Sequence, residues 1–168
     1  MNTSSVVRRR TRLSPEARRS QLMQCAVEVF SKRGLARAGH AEIAELAQVS
    51  VATVFNYFST REELVDNVLT QIEAHFLDMA KQSFAEPALS AKQAIHQYLA
   101  AFIDSAITTP EYTHIWLEWS SSIREDSWPR YLTLLNATIA CISTKLQPAI
   151  SSGEIDSFLE TDEFSRSI

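Results

Sequence analysis

The stretch VSVATVFNYFSTREEL, residues 49–64, combines small hydroxyl groups, a carboxamide and a phenol with almost no charge. Ser50 is a suitable N-cap, so the apolar spacing after it predicts a short helix over about 51–57. The inward-facing set would be Val51, Val54, Phe55 and Phe58. Outward side chains of this kind match the donors, acceptors and thymine methyl groups of the DNA major groove, where asparagine pairs bidentately with adenine. The candidate base-contacting residues are therefore Ser50, Ala52, Thr53 and Asn56.

Side chains on either side of this short helix are suited to contact the DNA backbone, which positions a protein without reading sequence. The candidates are His40, Tyr57, Thr60 and Arg61. The basic stretch RRRTR, residues 8–12, lies in a polar segment and is suited to follow phosphates or to enter the minor groove. A solubilising tail is the alternative interpretation of this stretch, and a hydrogen bond within the fold is the alternative for Asn56.

Net charge is distributed unevenly along the chain. Residues 1–61 contain ten lysines and arginines against four glutamates, whereas residues 62–168 contain six against sixteen acidic residues. The two parts therefore carry +6 and −10, and the whole chain carries −4. A basic first third predicts a module for a polyanion, and the acidic remainder predicts a different task.

One spacing could indicate a metal site: Glu111-x-x-His114, with Glu118 one helical turn further on. Di-iron sites in helical bundles use this spacing, but they need a second copy of it and two further glutamates. The sequence contains one copy, and it lacks glycine-rich phosphate loops, HExxH and nucleophile constellations. We therefore predict a protein that is not an enzyme and has no cofactor. A helical-bundle metalloprotein and a protein-interaction module with a basic tail are the alternatives.

The elements that must position the candidate residues are all helical. Ser14-Pro15-Glu16 begins a first helix, which Gly34 ends. Residues 41–47 form a second, short helix that would bury Ala41, Ile43, Ala44, Leu46 and Ala47. A tight turn at Gln48-Val49 then leads into the short helix over 51–57, and two short helices joined in this way form a helix-turn-helix.

The remainder of the chain predicts a larger helical body. Ser59–Glu63 contains two overlapping capping boxes and begins a helix of about 25 residues, which Pro87 ends. Three more helices are predicted over about 90–108, 111–123 and 128–151. Pro148 should kink or end the last of them. No strand alternation appears, so the predicted fold class is all-α.

Composition limits the class of protein further. The 168 residues are 45% hydrophobic and 21% charged, which is typical of a soluble, helix-rich protein. No apolar run reaches the roughly 18 residues that a membrane span needs, and no secretory signal is present. Cys25 and Cys141 lie far apart, which favours reduced thiols in a cytoplasmic protein.

Large apolar and aromatic side chains of the later helices would meet between them. They are Phe76, Met79, Tyr98, Phe102, Trp116, Trp119 and Tyr131. Simple core packing explains such a set, and a ligand pocket is the other interpretation, favoured by the two indoles because they need partners and leave irregular space. Few polar groups converge there, so any ligand should be mostly hydrophobic.

IAELAQVSVATVFNYFSTREELVDNVL, after RRSQLMQCAVEVFSKRGLARAGHAE, closely resembles the DNA-binding domain of the TetR family of bacterial transcription regulators. Together with WLEWSSSIREDSWP, these stretches are most similar to the quorum-sensing master regulators of vibrios, the LuxR/HapR type. The resemblance implies a homodimer that binds a pseudo-palindromic operator, with a small apolar effector among the aromatic residues of the body. It also matches Arg8, Arg10 and Arg12 to a minor-groove arm.

The implied organisation has three parts: a flexible basic arm over 1–13, a helix-turn-helix domain over 14–61, and a ligand-binding and dimerisation domain over 62–168. The family ends in two further helices that form the dimer interface, and only an apolar pattern after residue 154 is visible here, so the chain looks short at its C-terminus. Gln48 and His40 depart from the glycine and threonine that most members have there.

Overall fold

The computed structural model describes residues 13–123 and 126–153, which form seven helices and no strand. The prediction of an all-α fold is confirmed. The arm residues Arg8, Arg10 and Arg12 and the apolar pattern after residue 154 lie outside the described residues. The helices are α1 (Pro15–Arg33), α2 (His40–Ala47), α3 (Val51–Phe55), α4 (Arg61–Phe84), α5 (Ala91–Thr108), α6 (Pro110–Ser121) and α7 (Trp128–Ser151).

Helix α1 begins and ends where its capping residues predict. The Ser14 hydroxyl accepts a hydrogen bond from the backbone N–H of Ala17 at 3.1 Å, which satisfies a donor that the first helical turn leaves free. Gly34 ends the helix with a φ of +85°, and its N–H donates to the carbonyl oxygen of Phe30 at 2.8 Å. A side chain would be strained at this φ, so glycine is the suitable residue for the turn.

Helices α2 and α3 form a helix-turn-helix that packs against α1. Gln48 stands in the turn with φ 54° and ψ 46°, so a residue other than glycine adopts the left-handed conformation there. Of the predicted inward-facing residues of the α3 segment, only Val54 and Phe58 are buried; Val51 and Phe55 are 41% and 47% exposed. Val54 is the one buried residue of α3, and Phe58 is buried in the turn that follows the helix.

A similar correction applies to α2, where the structure buries Ile43, Ala44 and Ala47. Ala41 is exposed, and Leu46 is 42% exposed, although we predicted both as inward-facing. An eight-residue helix presents about two turns to its neighbours, and α1 and α3 contact only one side of it.

Helix α4 begins with a reciprocal cap. The Thr60 hydroxyl accepts from the N–H of Glu63, and the Glu63 carboxylate accepts from the N–H and the hydroxyl of Ser59 at 2.7 and 2.6 Å. The hydrogen bonds from Ser59 lower the pKa of Glu63 below its ordinary 4.5. The cap is therefore at full strength above that pH and weakens under more acidic conditions.

Helices α5 and α7 pack along α4 in opposite directions. Tyr98 of α5 meets Phe84 of α4, and further along α5 Ser105 meets His75, so α5 runs back towards the helix-turn-helix. Helix α7 starts beside the first turns of α4 and continues to Ser151, three residues beyond Pro148. We predicted that Pro148 would kink or end the helix, and the structure shows that the helix does not end there.

The buried side chains form one large cluster that spans α1, α2, α3, α4, α6 and α7, and a smaller one near the end of α4. Trp119, Phe30 and Phe58 are the largest fully buried residues. Because the large cluster is continuous, the helix-turn-helix shares its core with the helices that follow. Cys25 and Cys141 are free thiols, and burial together with nearby Glu28 raises the pKa of Cys25. None of the described helices is both long enough and apolar enough to cross a bilayer.

Candidate nucleic-acid interface

The outer surface of the helix-turn-helix is an uncharged ridge. Its exposed residues, here called the recognition ridge, are Ser50, Val51, Ala52, Phe55 and Asn56. No carboxylate lies among them, so the ridge does not repel phosphates. The Asn56 carboxamide is exposed and forms no hydrogen bond with the described residues, which leaves its donor and its acceptor available.

The start of α3 is fixed by hydroxyl groups. The Ser50 hydroxyl accepts from the backbone N–H of Thr53 at 3.2 Å, and the two hydroxyl oxygens lie 2.8 Å apart, within hydrogen-bond distance. Thr53 is half-buried, whereas Ser50 is exposed. This local cap gives a five-residue helix a defined start, because nucleation is the costly step for so short an element.

His40 lies beneath the ridge. Its side chain is 7% exposed, its Nε2–H donates to the carbonyl oxygen of Phe58 at 2.8 Å, and its ring stacks on Phe55 with centroids 3.9 Å apart. The first residue of α2 therefore holds both the end of α3 and the turn that leads into α4. The stacking gives the exposed Phe55 ring a packing partner on one face.

Arg61 is directed at the loop between α1 and α2. Its guanidinium donates to the carbonyl oxygen of Ala38 at 3.2 Å and to that of Leu35. The side chain is half-buried, so these backbone oxygens engage part of the fork of donors that we assigned to phosphates from sequence. Tyr57 is half-buried, Thr60 is exposed, and the Thr60 hydroxyl is engaged as the cap of α4.

A cavity of about 220 Å³ lies between α4, α5, α6 and α7. Five of the seven residues predicted for a pocket line it: Phe76, Tyr98, Phe102, Trp116 and Tyr131. Beyond Tyr131, α7 supplies five further lining residues that we had not assigned to the pocket, although their apolar spacing was visible: Leu134, Leu135, Thr138, Ile139 and Ile142. Desolvation and nearby Cys141 raise the pKa of Tyr98, so its hydroxyl stays protonated at neutral pH.

The two other predicted pocket residues lie elsewhere. Met79 borders a separate groove between α4 and α5 that also contains His75 and Asp104. Trp119 is fully buried in the core, where its indole N–H donates to the carbonyl oxygen of Ser127 at 3.0 Å. The indole therefore has the partner that we expected it to need, but that partner is backbone.

Arg130 fastens the start of α7 to α4. Its guanidinium binds the Glu73 carboxylate through two hydrogen bonds of 2.8 and 2.6 Å, and it reaches Asp66 at 2.5 Å and the Thr70 hydroxyl at 2.7 Å. The hydrogen bonds that Arg130 donates to Glu73 raise the pKa of Arg130 above its already high ordinary value. This bidentate pair holds the wall of the cavity against the long helix.

The spacing that could have indicated metal binding has another structural explanation. The Glu118 carboxylate accepts a hydrogen bond from the backbone N–H of Leu35 at 2.9 Å, and His114 is exposed on the same helix. Within residues 13–123 and 126–153, no group of three or more histidine, cysteine, aspartate or glutamate side chains is placed to hold a metal ion.

Comparisons with known proteins identify relatives that are regulators of the helix-turn-helix type. The family model described as bacterial regulatory proteins, tetR family, matches residues 22–68. The HTH-type transcriptional regulator LuxR of Vibrio harveyi is 42% identical over 148 residues, which are 88% of this chain and 72% of LuxR. The HTH-type transcriptional regulator TtgR of Pseudomonas putida is 35% identical over 78 residues, 46% of this chain and 37% of TtgR.

Solved structures show the same architecture. The fatty acid degradation regulator FadR from Bacillus halodurans superposes with a TM-score of 0.69 at 17% identity, covering 89% of this chain and 76% of that one. A TetR-like transcriptional regulator from Rhodococcus superposes with a TM-score of 0.60 at 20% identity, covering 86% of this chain and 90% of that one. At these identities the likeness concerns the fold.

Proposed function

This chain belongs to the TetR family of bacterial regulatory proteins, and from that premise we propose that it recognises a pseudo-palindromic DNA operator as a homodimer. It is a transcription regulator of the helix-turn-helix type. The finer proposal concerns how it reads DNA, which parts of the chain take part and what modulates binding. In this proposal, residues 14–61 form the DNA-binding domain, and residues 62–168 form the dimerisation and ligand-binding domain.

The observation that carries the proposal is the open recognition ridge. An α-helix fits the DNA major groove, and the ridge presents hydroxyl, methyl and carboxamide groups to it. Asn56 is assigned to bidentate contact with an adenine, since its carboxamide is exposed and has no hydrogen bond among the described residues. Ser50, Ala52 and Thr53 are assigned to the neighbouring base edges.

Val51 and Phe55 join this set because the structure exposes them beside the predicted base-contacting residues. Their apolar side chains suit the methyl groups of thymine, which are the hydrophobic features of the major groove. Phe55 is pre-organised for such a contact by the His40 ring on which it stacks. The ridge therefore combines hydrogen-bonding and apolar readout on one short helix.

The DNA backbone contacts are assigned to Tyr57, Thr60 and the arginines of the arm, Arg8, Arg10 and Arg12. His40 and Arg61 receive a different role in the proposal, because hydrogen bonds to backbone carbonyl groups hold both side chains. They position the helix-turn-helix, and phosphates are bound by their neighbours. The net charge of +6 on residues 1–61 supports a sequence-independent attraction to DNA.

Dimerisation is supported by apolar side chains that the described helices of the body leave exposed. Leu99, Ile103 and Ile107 of α5 are 52%, 59% and 74% exposed and follow one another at single-turn spacing. A row of exposed apolar side chains is typical of an association surface. In the dimer, the two recognition helices must lie about 34 Å apart to enter successive major grooves on one side of the duplex.

The cavity of about 220 Å³ supports a small apolar effector. Its walls are aromatic and aliphatic, and few polar groups face it, so a ligand of the same character would bind there. Because helices of two subunits determine the separation of the recognition helices, a ligand that moves them would weaken operator binding. The resemblance to quorum-sensing regulators of vibrios supports a cytoplasmic protein that acts in a cell-density response.

Selection of bound duplexes from a random library tests the proposal most directly. We expect the full chain to enrich two inverted half-sites separated by about one helical turn, because a symmetric dimer reads symmetric DNA. Enrichment of a single unsymmetrical site would contradict the homodimer. Recovery of no common sequence, combined with binding that is insensitive to salt, would contradict DNA recognition altogether and favour a protein partner.

A further inference from the structure

The loop between α1 and α2 is held from two sides at Leu35. Its backbone N–H donates to the Glu118 carboxylate of α6 at 2.9 Å, and its carbonyl oxygen accepts from the Arg61 guanidinium at the start of α4. Glu118 lies 83 residues further along the chain than Leu35. A side chain of the body therefore binds the backbone of the segment that leads directly into the helix-turn-helix.

The Glu118 carboxylate also lies close to Gly34, the residue before Leu35. A Cβ atom placed on Gly34 would lie 2.8 Å from Oε1 of Glu118, a separation that real Cβ contacts do not show. Glycine suits residue 34 because of its φ of +85°, and a side chain there would also have to displace the carboxylate end of the flexible Glu118 side chain. The Glu118 carboxylate occupies the space that any other residue would fill with its own side chain.

This bond lies next to open space. A cleft of about 520 Å³ lies between the helix-turn-helix domain and the helical body. It is bordered by Leu35, Arg61, Glu118 and Arg130. Leu35 also packs against the large buried cluster, so packing and the hydrogen bond together hold the loop near α6. On the side of the cleft, the hydrogen bond from the Leu35 N–H to Glu118 is a direct link between the loop and α6.

The loop determines where the recognition helix points. Five residues after Leu35, His40 begins α2, and its side chain holds Phe55 and Phe58 at the other end of the helix-turn-helix. These contacts join α2 to the end of α3, so the loop at Leu35 leads directly into the unit that carries the recognition ridge. Arg61 ties the same loop to α4, which completes the connection to the long helix.

We propose that Glu118 is a positioning residue for DNA recognition: by holding the Leu35 N–H, it fixes the angle between the recognition helix and the body. The inference rests on the proposed function, because the angle matters only if two recognition helices must fit two half-sites at once. Each added base pair moves a half-site by about 3.4 Å and rotates it by about 34°, so a fixed angle selects one spacing. A helix-turn-helix domain whose angle to the body is not fixed would bind half-sites at several spacings.

The experiment uses the full chain and duplexes in which the two half-sites selected by the wild type are separated by spacers varied in steps of one base pair. Glu118→Ala removes the acceptor, and Glu118→Gln keeps a carbonyl oxygen at the same place. Glu111→Ala and Glu111→Gln are the matched controls, since they change the charge of the same helix without touching the loop. Affinity for each spacer, and for an unrelated duplex, is measured at one salt concentration.

We expect the wild type to prefer one spacing sharply. Glu118→Ala should bind the preferred spacer on the order of tenfold more weakly and should lose most of the difference between spacers, while its affinity for unrelated DNA stays the same. Glu118→Gln and both Glu111 variants should keep the spacing profile of the wild type. Hydrogen exchange at the Leu35 amide should become faster in Glu118→Ala and remain slow in Glu118→Gln.

Two results would overturn the inference while the proposed function stands. One is a Glu118→Ala protein that keeps the sharp wild-type spacing profile, and the other is a Glu118→Gln protein that loses it, because then charge and not the hydrogen bond would matter. If Glu118→Ala fails to fold, Glu118→Gln together with the Leu35 exchange rate decides. A wild type that binds every spacer equally would overturn the dimeric operator and the positioning role together.

Discussion

The imidazole ring of His40 lies flat against the phenyl ring of Phe55, with centroids 3.9 Å apart and planes inclined by 6°. The same imidazole donates from Nε2–H to the carbonyl oxygen of Phe58. One side chain thus joins the first residue of α2 to the end of α3 and to the turn that follows it. This relationship gives His40 a task within the protein, where sequence had suggested a contact with phosphate.

Replacement of His40 by phenylalanine separates its two contacts. We expect His40→Phe to lower the free energy of unfolding by about 1–3 kcal/mol, because the buried carbonyl group of Phe58 loses its donor while an aromatic ring remains beside Phe55. Urea denaturation followed by circular dichroism measures the loss. His114→Phe, exposed on α6, is the control and should leave the midpoint unchanged. Equal midpoints for wild type and His40→Phe would show that the hydrogen bond contributes nothing.

Asn56→Ala tests base readout by the recognition ridge. The variant should lose about 1–3 kcal/mol of binding free energy on the selected operator and none on unrelated DNA, because only a base-edge contact distinguishes the two. Fluorescence anisotropy with both duplexes at one salt concentration gives the comparison. Gln82→Ala removes an exposed carboxamide near the far end of α4 and should bind as the wild type does. An equal loss on both duplexes would remove Asn56 from base readout.

Arg61→Met distinguishes positioning from phosphate contact. If Arg61 serves the loop carbonyl groups, the variant unfolds at lower urea concentration, and the dependence of DNA affinity on salt keeps its slope. A direct phosphate contact would instead reduce the slope of log K against log salt by about 0.9. Deletion of residues 1–12 is the comparison, since it removes four arginines and should reduce that slope clearly. A shallower slope for Arg61→Met would restore the phosphate assignment.

The local signals in the sequence predicted the elements well, and the failures occur where distant residues decide. Ser14, Gly34 and Thr60 act through neighbours within four positions, so their capping roles were predictable from spacing. The exposure of Phe55 depends on a ring 15 positions away along the chain, and no periodicity reveals such a partner. Short helices are the hardest to predict. In the segment of α3, spacing alone does not establish whether Val51 and Phe55 or Val54 and Phe58 face inward.

The same difference between local signals and contacts of distant residues applies to the candidate site. The exposure of Ser50 and Asn56 follows from polar residue types that avoid burial, and the sequence predicted it, whereas it did not predict the exposure of Val51 and Phe55. The link between Leu35 and Glu118 joins residues 83 positions apart, and nothing in either segment predicts the other. Likewise, the wall that α7 gives to the cavity became apparent only when α7 was seen to run along α4.

His75 should make stability depend on pH. Burial lowers the pKa of His75 below its ordinary 6.5, while its Nε2 lies 2.7 Å from the hydroxyl of Ser105. The unfolded chain therefore takes up this proton at higher pH than the folded chain does. The stability that His75 contributes is complete above pH 6.5 and is lost as the pH falls towards its folded pKa.

Urea midpoints measured between about pH 5 and 8 test this dependence. His75→Gln keeps a hydrogen-bonding side chain that does not titrate, so its midpoint should fall less between pH 7 and pH 5.5 than that of the wild type. His96→Gln, exposed on α5, should follow the wild-type curve. Parallel curves for wild type and His75→Gln would mean that the pKa of His75 is the same in the folded and the unfolded chain.

The cavity between α4, α5, α6 and α7 should bind a small aromatic molecule. Its volume of about 220 Å³ accommodates a bicyclic ring such as indole, and its walls are mostly apolar. We expect indole to raise the melting temperature of the full chain, since a ligand at ten times its Kd stabilises the folded state by about 1.4 kcal/mol. Thr138→Phe places a ring inside the cavity and should abolish the response, whereas Thr133→Phe, exposed on the same helix, should preserve it. An equal shift in both variants would place the bound indole outside this cavity.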